Sequence, residues 1–362
     1  MFQSILGGYD SADFKEGLMR DKDYKKQKIV ISGIGTGGHY FPAVVVAKEL
    51  QRRNFGVIFL VRKGFVEEEI ARLYGLETFF INPRPFSGKS ILFQFLALVA
   101  FFKSLLRLLP IVKDKIGFSF GGFGSLPLAV ACLIKRRPFY LFEPNCIPGR
   151  STRIVAPYAR RVFLGMPIRV KIAGRLTLTG IPLRDEFKIC DEVKKEKHTI
   201  LFIGGSQGAR SLNKWAISLT KILPEEYRII IISGQRDYQW VEANKDKRTV
   251  VIPFTSTPWN EIKEANVVVS RSGALAGYEL LALKKKIIFI PFPYATDNHQ
   301  YYNAQYFVKV GQAIVLTEDR ITEEILAQKI IEMLKHPADN KKSDIIIDAE
   351  KRICDIIKDE VR

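Results

Sequence analysis

Residues 28–43 read KIVISGIGTGGHYFPA: a mostly apolar run, then four glycines within positions 33–38, then one of the chain's four histidines. The continuation VVVAKELQRR has helical spacing, so the stretch predicts a strand, a glycine turn and a helix. Bare backbone at such a turn lets N–H groups approach an anion closely and aims the positive end of a helix at it. Gly33, Gly35 and Gly38 also match the dinucleotide fingerprint G-x-G-x-x-G. The next strand, however, ends FLVRKG, with no acid to hold a ribose hydroxyl, although Arg62 suits a 2′-phosphate. Pro42 is expected to mark a helix start later than that fingerprint requires. The match is set aside. Taken alone, a tight turn accounts for the glycines, and His39 is an ordinary loop histidine.

The same grammar recurs along the chain. Strand-like runs follow at 57–61, 77–81, 116–120 and 138–142, and a second series at 198–203, 228–232, 249–252, 266–270 and 286–290. They are nearly continuous in Val, Ile, Leu and Phe, as strands buried on both faces of a parallel sheet are. The second series opens as the first did, TILFI leading into GGSQGAR and a helical segment. The expected class is α/β: two Rossmann-like domains of parallel sheet flanked by helices, with a cleft between them. Residues 1–27 read as an N-terminal extension with no signal-peptide pattern, 28–182 as one domain and 183–340 as the other. Residues 341–362 read as a C-terminal helix with the first domain as one place to pack.

A chain of 362 residues exceeds the size at which a single core stops growing, which agrees with two domains. Its 56 basic and 38 acidic residues give a net charge of +18, which suits an anionic partner or a Lys-rich solvated surface. Cys132, Cys146, Cys190 and Cys354 are scattered, without metal-ligand spacing, and fit reduced thiols. The apolar stretch 91–112 is interrupted by Gln94, Lys103 and Arg107 and closed by Pro110, so it predicts a greasy helix that does not span a membrane.

Two later motifs carry chemistry. In VVVSRSGALAGYELLAL, residues 267–283, the turn at Ser272, Gly273 and Ala274 forms a helix N-terminus suited to an anion, and Glu279 is either a surface charge or an acceptor for a ligand hydroxyl. PFPYATDNHQYYNA, residues 291–304, gathers Asp297, Asn298, His299, Gln300 and Asn303 at a strand end, where ligands bind in open α/β sheets. Three glycine turns facing one cleft suit a nucleotide diphosphate. No D-x-D, H-E-x-x-H or paired Asp marks a metal, so helix N-termini and hydroxyls are expected to carry a departing diphosphate with no cofactor. SGK at 87–89 is no Walker loop, since Pro83 stands where the first glycine belongs.

GTGGH-x-x-P-A, GGFGSLP, E-P-N-x-x-P-G, G-I-P-L-R, GGSQGAR, SRSGAL…E and D-x-x-Q-x-x-N-A occur in this order from Lys28 onward. Together they resemble the MurG family, the bacterial UDP-N-acetylglucosamine transferases of peptidoglycan synthesis. The resemblance implies the GT-B fold, a C-terminal domain for the UDP-sugar and an N-terminal domain for the lipid-linked acceptor. It implies transfer of GlcNAc from UDP-GlcNAc to the 4-hydroxyl of the MurNAc of lipid I, giving lipid II with inversion. By motif, donor contacts fall on Thr36, Gly37, Gly38, Asn145, Arg184, Ser206, the Thr255 backbone, Ala274, Leu275, Ala276, Gly277, Tyr278, Glu279 and Gln300. Glu279 is then expected to take the ribose, the Thr255 backbone the uracil, Ser206 and Ser272–Ala274 the diphosphate, and Gln300 the sugar. The chain departs from the family with FEPN for H-E-Q-N, His299-Gln300 for Gln-Gln, and AGY before Glu279.

Inversion needs a base for the acceptor proton. His39 suits it near neutrality, and Glu143 is the second candidate. A UDP-sugar transferase acting on another lipid, such as diacylglycerol, keeps the same fold. A nucleic-acid binder is disfavoured, because aromatics are not interleaved with the basic residues. The acceptor's polyprenyl tail implies peripheral attachment to the cytoplasmic face of the plasma membrane. Leu92, Phe93, Phe95, Leu96, Phe101, Phe102, Leu105 and Leu106 are expected to insert there. Eight basic residues and no acidic one between Arg150 and Arg184 are expected to meet anionic lipid.

Overall fold

The computed structural model describes residues 27–85, 90–189, 198–205, 208–335 and 344–361. Strands β1 (Lys28–Ser32), β2 (Gly56–Val61), β3 (Glu77–Phe80), β4 (Ile116–Ser119), β5 (Phe139–Glu143), β6 (Arg161–Leu164) and β7 (Leu176–Leu178) form one sheet in the order β3-β2-β1-β4-β5-β6-β7. Strands β8 (Thr199–Ile203), β9 (Arg228–Ile232), β10 (Thr249–Ile252), β11 (Val267–Ser270), β12 (Lys286–Phe289) and β13 (Ala313–Val315) form a second, β10-β9-β8-β11-β12-β13. All pairings in both sheets are parallel. In β1 the apolar run works as its composition requires. Ile29 and Ile31 join one hydrophobic cluster while Val30 joins the cluster on the opposite face.

Helices α1 (Gly37–Arg52), α2 (Val66–Leu73), α3 (Ile91–Ile111), α4 (Ser125–Ile134) and α5 (Arg150–Val155) belong to the first domain. The second carries α6 (Arg210–Leu219), α7 (Tyr238–Asn244), α8 (Trp259–Glu264), α9 (Ala274–Ala282), α10 (His299–Val310) and α11 (Glu323–Lys335), and α12 (Ala349–Val361) follows. α1 buries Tyr40, Ala43, Val44, Ala47 and Leu50 on the first sheet, while α3 and α4 cover its other face with Leu105, Leu108, Leu128 and Ala129. α6 and α11 bury Leu212, Ala216, Leu326 and Ile330 against the second sheet. The cluster under α1 continues into the second domain through Ala274, Tyr278 and Phe307, so apolar packing joins the two sheets.

α12 lies on the first domain. Its Ile353, Cys354 and Ile357 are fully buried in the cluster under α1. Arg53 Nη1 reaches Asp355 at 2.5 Å, and the Tyr140 hydroxyl donates to Glu360 at 3.0 Å. Arg161 Nε donates to the same Glu360 at 2.8 Å, with Arg160 and Arg175 at 3.4 and 3.7 Å.

Two sequence expectations change here. α1 begins at Gly37, not at Pro42. Thr36 is its N-cap residue, and its carbonyl accepts the His39 and Tyr40 N–H groups at 3.0 and 3.2 Å. Pro42 sits inside the helix, where it forfeits one ladder bond. Arg62 is paired with Glu67 at 2.5 Å instead of standing ready for a phosphate. The sequence reading has no strand at β6, β7 or β13; the latter two, of 3 residues each, are too short to carry a period.

Candidate active site

In each sheet the strand order reverses beside the first strand of the series, at β1/β4 and at β8/β11, the switch points at which open α/β sheets form a crevice beyond the carboxyl ends of the strands. The first crevice answers why the chain needs so much bare backbone. A side chain at Gly35 would stand 2.9 Å from His39 Nδ1, and one at Gly121 only 3.1 Å from His39 Cδ2. Gly121 and Gly122 also hold φ of +81° and +74°, a conformation that favours glycine. The glycines of two loops thus make the slot that the imidazole fills. His39 Nδ1 lies 3.2 Å from Thr36 Oγ1. Burial lowers the imidazole pKa, against the pull of Glu143 and with the help of His299 across the cleft. A neutral ring is a ready proton acceptor.

Glu143, at the end of β5 and buried, is placed differently. Oε1 accepts from the Asn145 N–H and Nδ2, both at 3.0 Å; Oε2 accepts from the Gly149 N–H at 3.0 Å and the Thr152 hydroxyl at 2.6 Å. Four donors hold this carboxylate, and it in turn shapes the 145–149 loop.

Across the cleft, α9 starts after Gly273, and an added side chain at Gly273 would meet open space. Free N–H groups of that first turn are an anion cradle. Ala274 and Leu275 are buried and Ala276 half-buried behind it. Gly277 and Tyr278 turn away from the cleft. A Cβ on Gly277 would stand 2.1 Å from the Phe307 ring, and Tyr278 is hydrogen-bonded to Tyr306 and the Ile346 backbone. Glu279 is buried, and its Oε1 accepts from Arg184 Nη2 at 3.1 Å. Burial raises its pKa and Arg184 opposes the rise. The Arg184 guanidinium lies over Phe41, Phe187 and Trp259 at 4.3, 4.9 and 5.0 Å from their centroids, and its buried Nε has no partner.

Thr255 follows β10, its hydroxyl accepting from the Thr257 N–H at 3.1 Å. Gln300 Oε1 accepts from the Phe292 N–H at 2.9 Å, and its carbonyl accepts the Ser272 hydroxyl at 2.8 Å. Gly37 and Gly38 form the first turn of α1 beside His39. Ser206 lies outside the described residues, as do Cys190 and the SGK at 87–89. Among the described residues no three His, Cys, Asp or Glu side chains converge as metal ligands.

The sequence reading missed the contacts that close the cleft. Asn303 bonds to Asn145 and to the Ser272 carbonyl, and Arg153 Nη2 pairs with Asp297 at 2.8 Å. The basic run from Arg150 to Arg184 is also reassigned. Arg160, Arg161 and Arg175 surround Glu360, Arg153 takes Asp297 and Arg184 takes Glu279, so five of the eight serve internal pairs. On α3, Leu92, Phe95, Leu96, Phe102 and Leu106 are exposed, whereas Leu105 is buried and Phe101 packs on the domain core.

Residues 29–164 match the glycosyltransferase family 28 N-terminal domain and residues 199–359 its C-terminal domain. A protein of Sulfurihydrogenibium sp. (strain YO3AOP1), named UDP-N-acetylglucosamine–N-acetylmuramyl-(pentapeptide) pyrophosphoryl-undecaprenol N-acetylglucosamine transferase, is 30% identical over 353 residues, covering 93% of this chain and 99% of that one. The protein of the same name from Aquifex aeolicus (strain VF5) is 30% identical over 338 residues, covering 90% of this chain and 98% of its own. In fold, the crystal structure of Acinetobacter baumannii MurG superposes with a TM-score of 0.73 at 23% identity, over 92% of this chain and 99% of that one. The glycotransferase of kitacinnamycin does so with a TM-score of 0.71 at 15% identity, over 94% and 100%. With both domains matched and relatives covered over nearly their whole length, the chain belongs to the family of UDP-N-acetylglucosamine–N-acetylmuramyl-(pentapeptide) pyrophosphoryl-undecaprenol N-acetylglucosamine transferases.

Proposed function

We propose that the chain moves GlcNAc from UDP-GlcNAc to the 4-hydroxyl of the MurNAc of lipid I, an inverting transfer that makes lipid II for the cell wall. The observation that carries this reading is a pair of glycine turns, the His39 slot and the first turn of α9, with the loop after β5 and the α9 turn tied together through Asn303. His39 takes the proton of the acceptor hydroxyl as its oxygen bonds to the anomeric carbon. The bond from that carbon to the phosphate oxygen breaks, and UDP leaves with the electron pair. Charge then grows on the diphosphate, where the first turn of α9 offers N–H groups and a helix dipole without reorganisation. Glu279 accepts from the ribose hydroxyls, the Thr255 backbone faces the base, and Gln300 the donor sugar. Glu143 acts on the acceptor side by shaping the 145–149 loop. Incubation with UDP-GlcNAc and a lipid I analogue is expected to yield a product heavier by one N-acetylhexosamine. The same gain on diacylglycerol and none on lipid I would instead favour another lipid acceptor.

We further propose that α3 docks on an anionic membrane from the cytoplasmic side. The helix is long and apolar enough to cross a bilayer, yet Ala97, Ser104, Leu105 and Leu108 are committed to the domain core. It therefore lies along the surface. Leu92, Phe95, Phe102 and Leu106 point outward with Lys103 and Arg107 exposed beside them. Insertion of such side chains adds area-dependent burial, and each basic residue near anionic lipid adds about 1 kcal/mol. Replacing Phe95 and Phe102 with Ser is expected to release the protein from phosphatidylglycerol-containing vesicles with UDP affinity unchanged. Undiminished vesicle binding in a sedimentation assay would place the docking face elsewhere.

A further inference from the structure

Asn303, fully buried on α10, bonds to both sides of the cleft at once. Its Nδ2 donates to Asn145 Oδ1 at 3.0 Å and to the Ser272 carbonyl at 3.2 Å, and its Oδ1 accepts from the Cys146 N–H at 3.0 Å. Each partner belongs to a loop with a role in the reaction proposed above. Asn145 and Cys146 leave β5 under the grip of Glu143, and Ser272 precedes the turn that opens α9.

These bonds fix directions as well as distances. A trans peptide points its C=O and its N–H opposite ways, so tying the Ser272 carbonyl to Asn303 aims the Gly273 N–H away from α10. A side chain at Gly273 would meet only open space, which places that turn on the open cleft. On the other side, Asn145 has its backbone N–H and Nδ2 on Glu143, so its remaining oxygen faces Asn303 in one orientation. A continuous chain of bonds thus runs Thr152–Glu143–Asn145–Asn303–Ser272–Gln300.

We propose that Asn303 is a positioning residue that couples the diphosphate cradle to the acceptor loop, setting the two at reactive separation together. The proposal rests on the glycosyl-transfer reading. It needs Asn and not Asp: a carboxylate would keep the acceptor for Cys146 but turn an anion toward the Asn145 and Ser272 oxygens.

The test uses the full chain with Asn303→Asp and Asn303→Ala. Turnover with UDP-GlcNAc and a lipid I analogue is expected to fall about 10²-fold in both, as small misplacements of reacting groups do. The melting temperature is expected to fall in both, since each leaves buried groups unpaired, so turnover and UDP affinity are read well below the transition. UDP affinity is expected to fall far less than turnover, since Asn303 itself makes no donor contact. Without any ligand, amide exchange at Cys146 is expected to quicken in Asn303→Ala, which removes its acceptor, and to stay slow in Asn303→Asp, which keeps it. Turnover within about threefold of the unaltered chain, or turnover and UDP affinity falling in parallel, would overturn the proposal. Unchanged Cys146 exchange in Asn303→Ala would overturn it too, even if the unaltered chain transferred nothing to lipid I, an outcome that by itself sinks only the reading of function.

Discussion

His39→Ala is expected to lower turnover by about 10²–10⁴-fold while UDP affinity stays within about threefold. The acceptor hydroxyl cannot attack while it holds its proton, and the imidazole stands in a slot cleared by Gly35 and Gly121. Burial disfavours the imidazolium, so the ring titrates below the ordinary value of about 6.5. The sign follows directly. As pH falls through that lowered value the base becomes protonated, and turnover is lost on an acid limb lying below about pH 6.5. A pH–kcat/KM profile together with UDP titration of the variant checks both parts. Near-normal turnover in His39→Ala would hand the role to Glu143. Against that stands the geometry, because the Glu143 oxygens already accept four hydrogen bonds and a base must give one up.

Arg184→Met is expected to weaken UDP binding by about 10- to 10²-fold at neutral pH, the scale of losing hydrogen bonds to a charged acceptor. Glu279 is buried, and Arg184 is what opposes the upward push on its carboxyl pKa. Without the guanidinium the desolvation penalty acts unopposed, and the carboxyl keeps its proton to higher pH than in the unaltered chain. A protonated carboxyl offers one donor where two ribose hydroxyls need acceptors. Methionine retains an apolar stem for Phe41, Phe187 and Trp259, so packing changes less than charge. Affinity in the variant is expected to recover as pH rises, at higher pH than in the unaltered chain, and calorimetry over a pH series decides it. A loss independent of pH would mean that Arg184 itself touches the donor.

The α/β architecture was legible in local composition. KIVIS and TILFI are buried on both faces, and only a sheet covered by helices on both sides buries such runs completely. The glycine turns were legible for the same reason, since turn chemistry depends on adjacent residues: GTGGH, GGFG and SRSG each lie at the carboxyl end of a strand. His39 and Glu279 could be singled out as candidates by type and by position relative to those turns.

What the chain order could not disclose is how each polar group is used. From their motifs His39 and Glu143 read as first and second candidates for one role. Packing gives the second four donors and leaves the first in an open slot, because the Thr152 and Gly149 partners reach Glu143 only after β5 and α5 fold together. Gly277 looked like part of a ligand loop, yet the Phe307 ring on the neighbouring helix occupies its side-chain space. The arginines from 150 to 184 looked like a membrane patch. Glu360, some two hundred residues away along the chain, collects three of them where α12 returns to the first domain. Asn303 is the extreme case, one member of a polar cluster in sequence and a bridge between two loops in space. Periodicity and turn chemistry act over a few residues and can be read in order. Ion pairs and buried hydrogen bonds depend on which surfaces the hydrophobic core brings together, and that is decided only when both domains have packed.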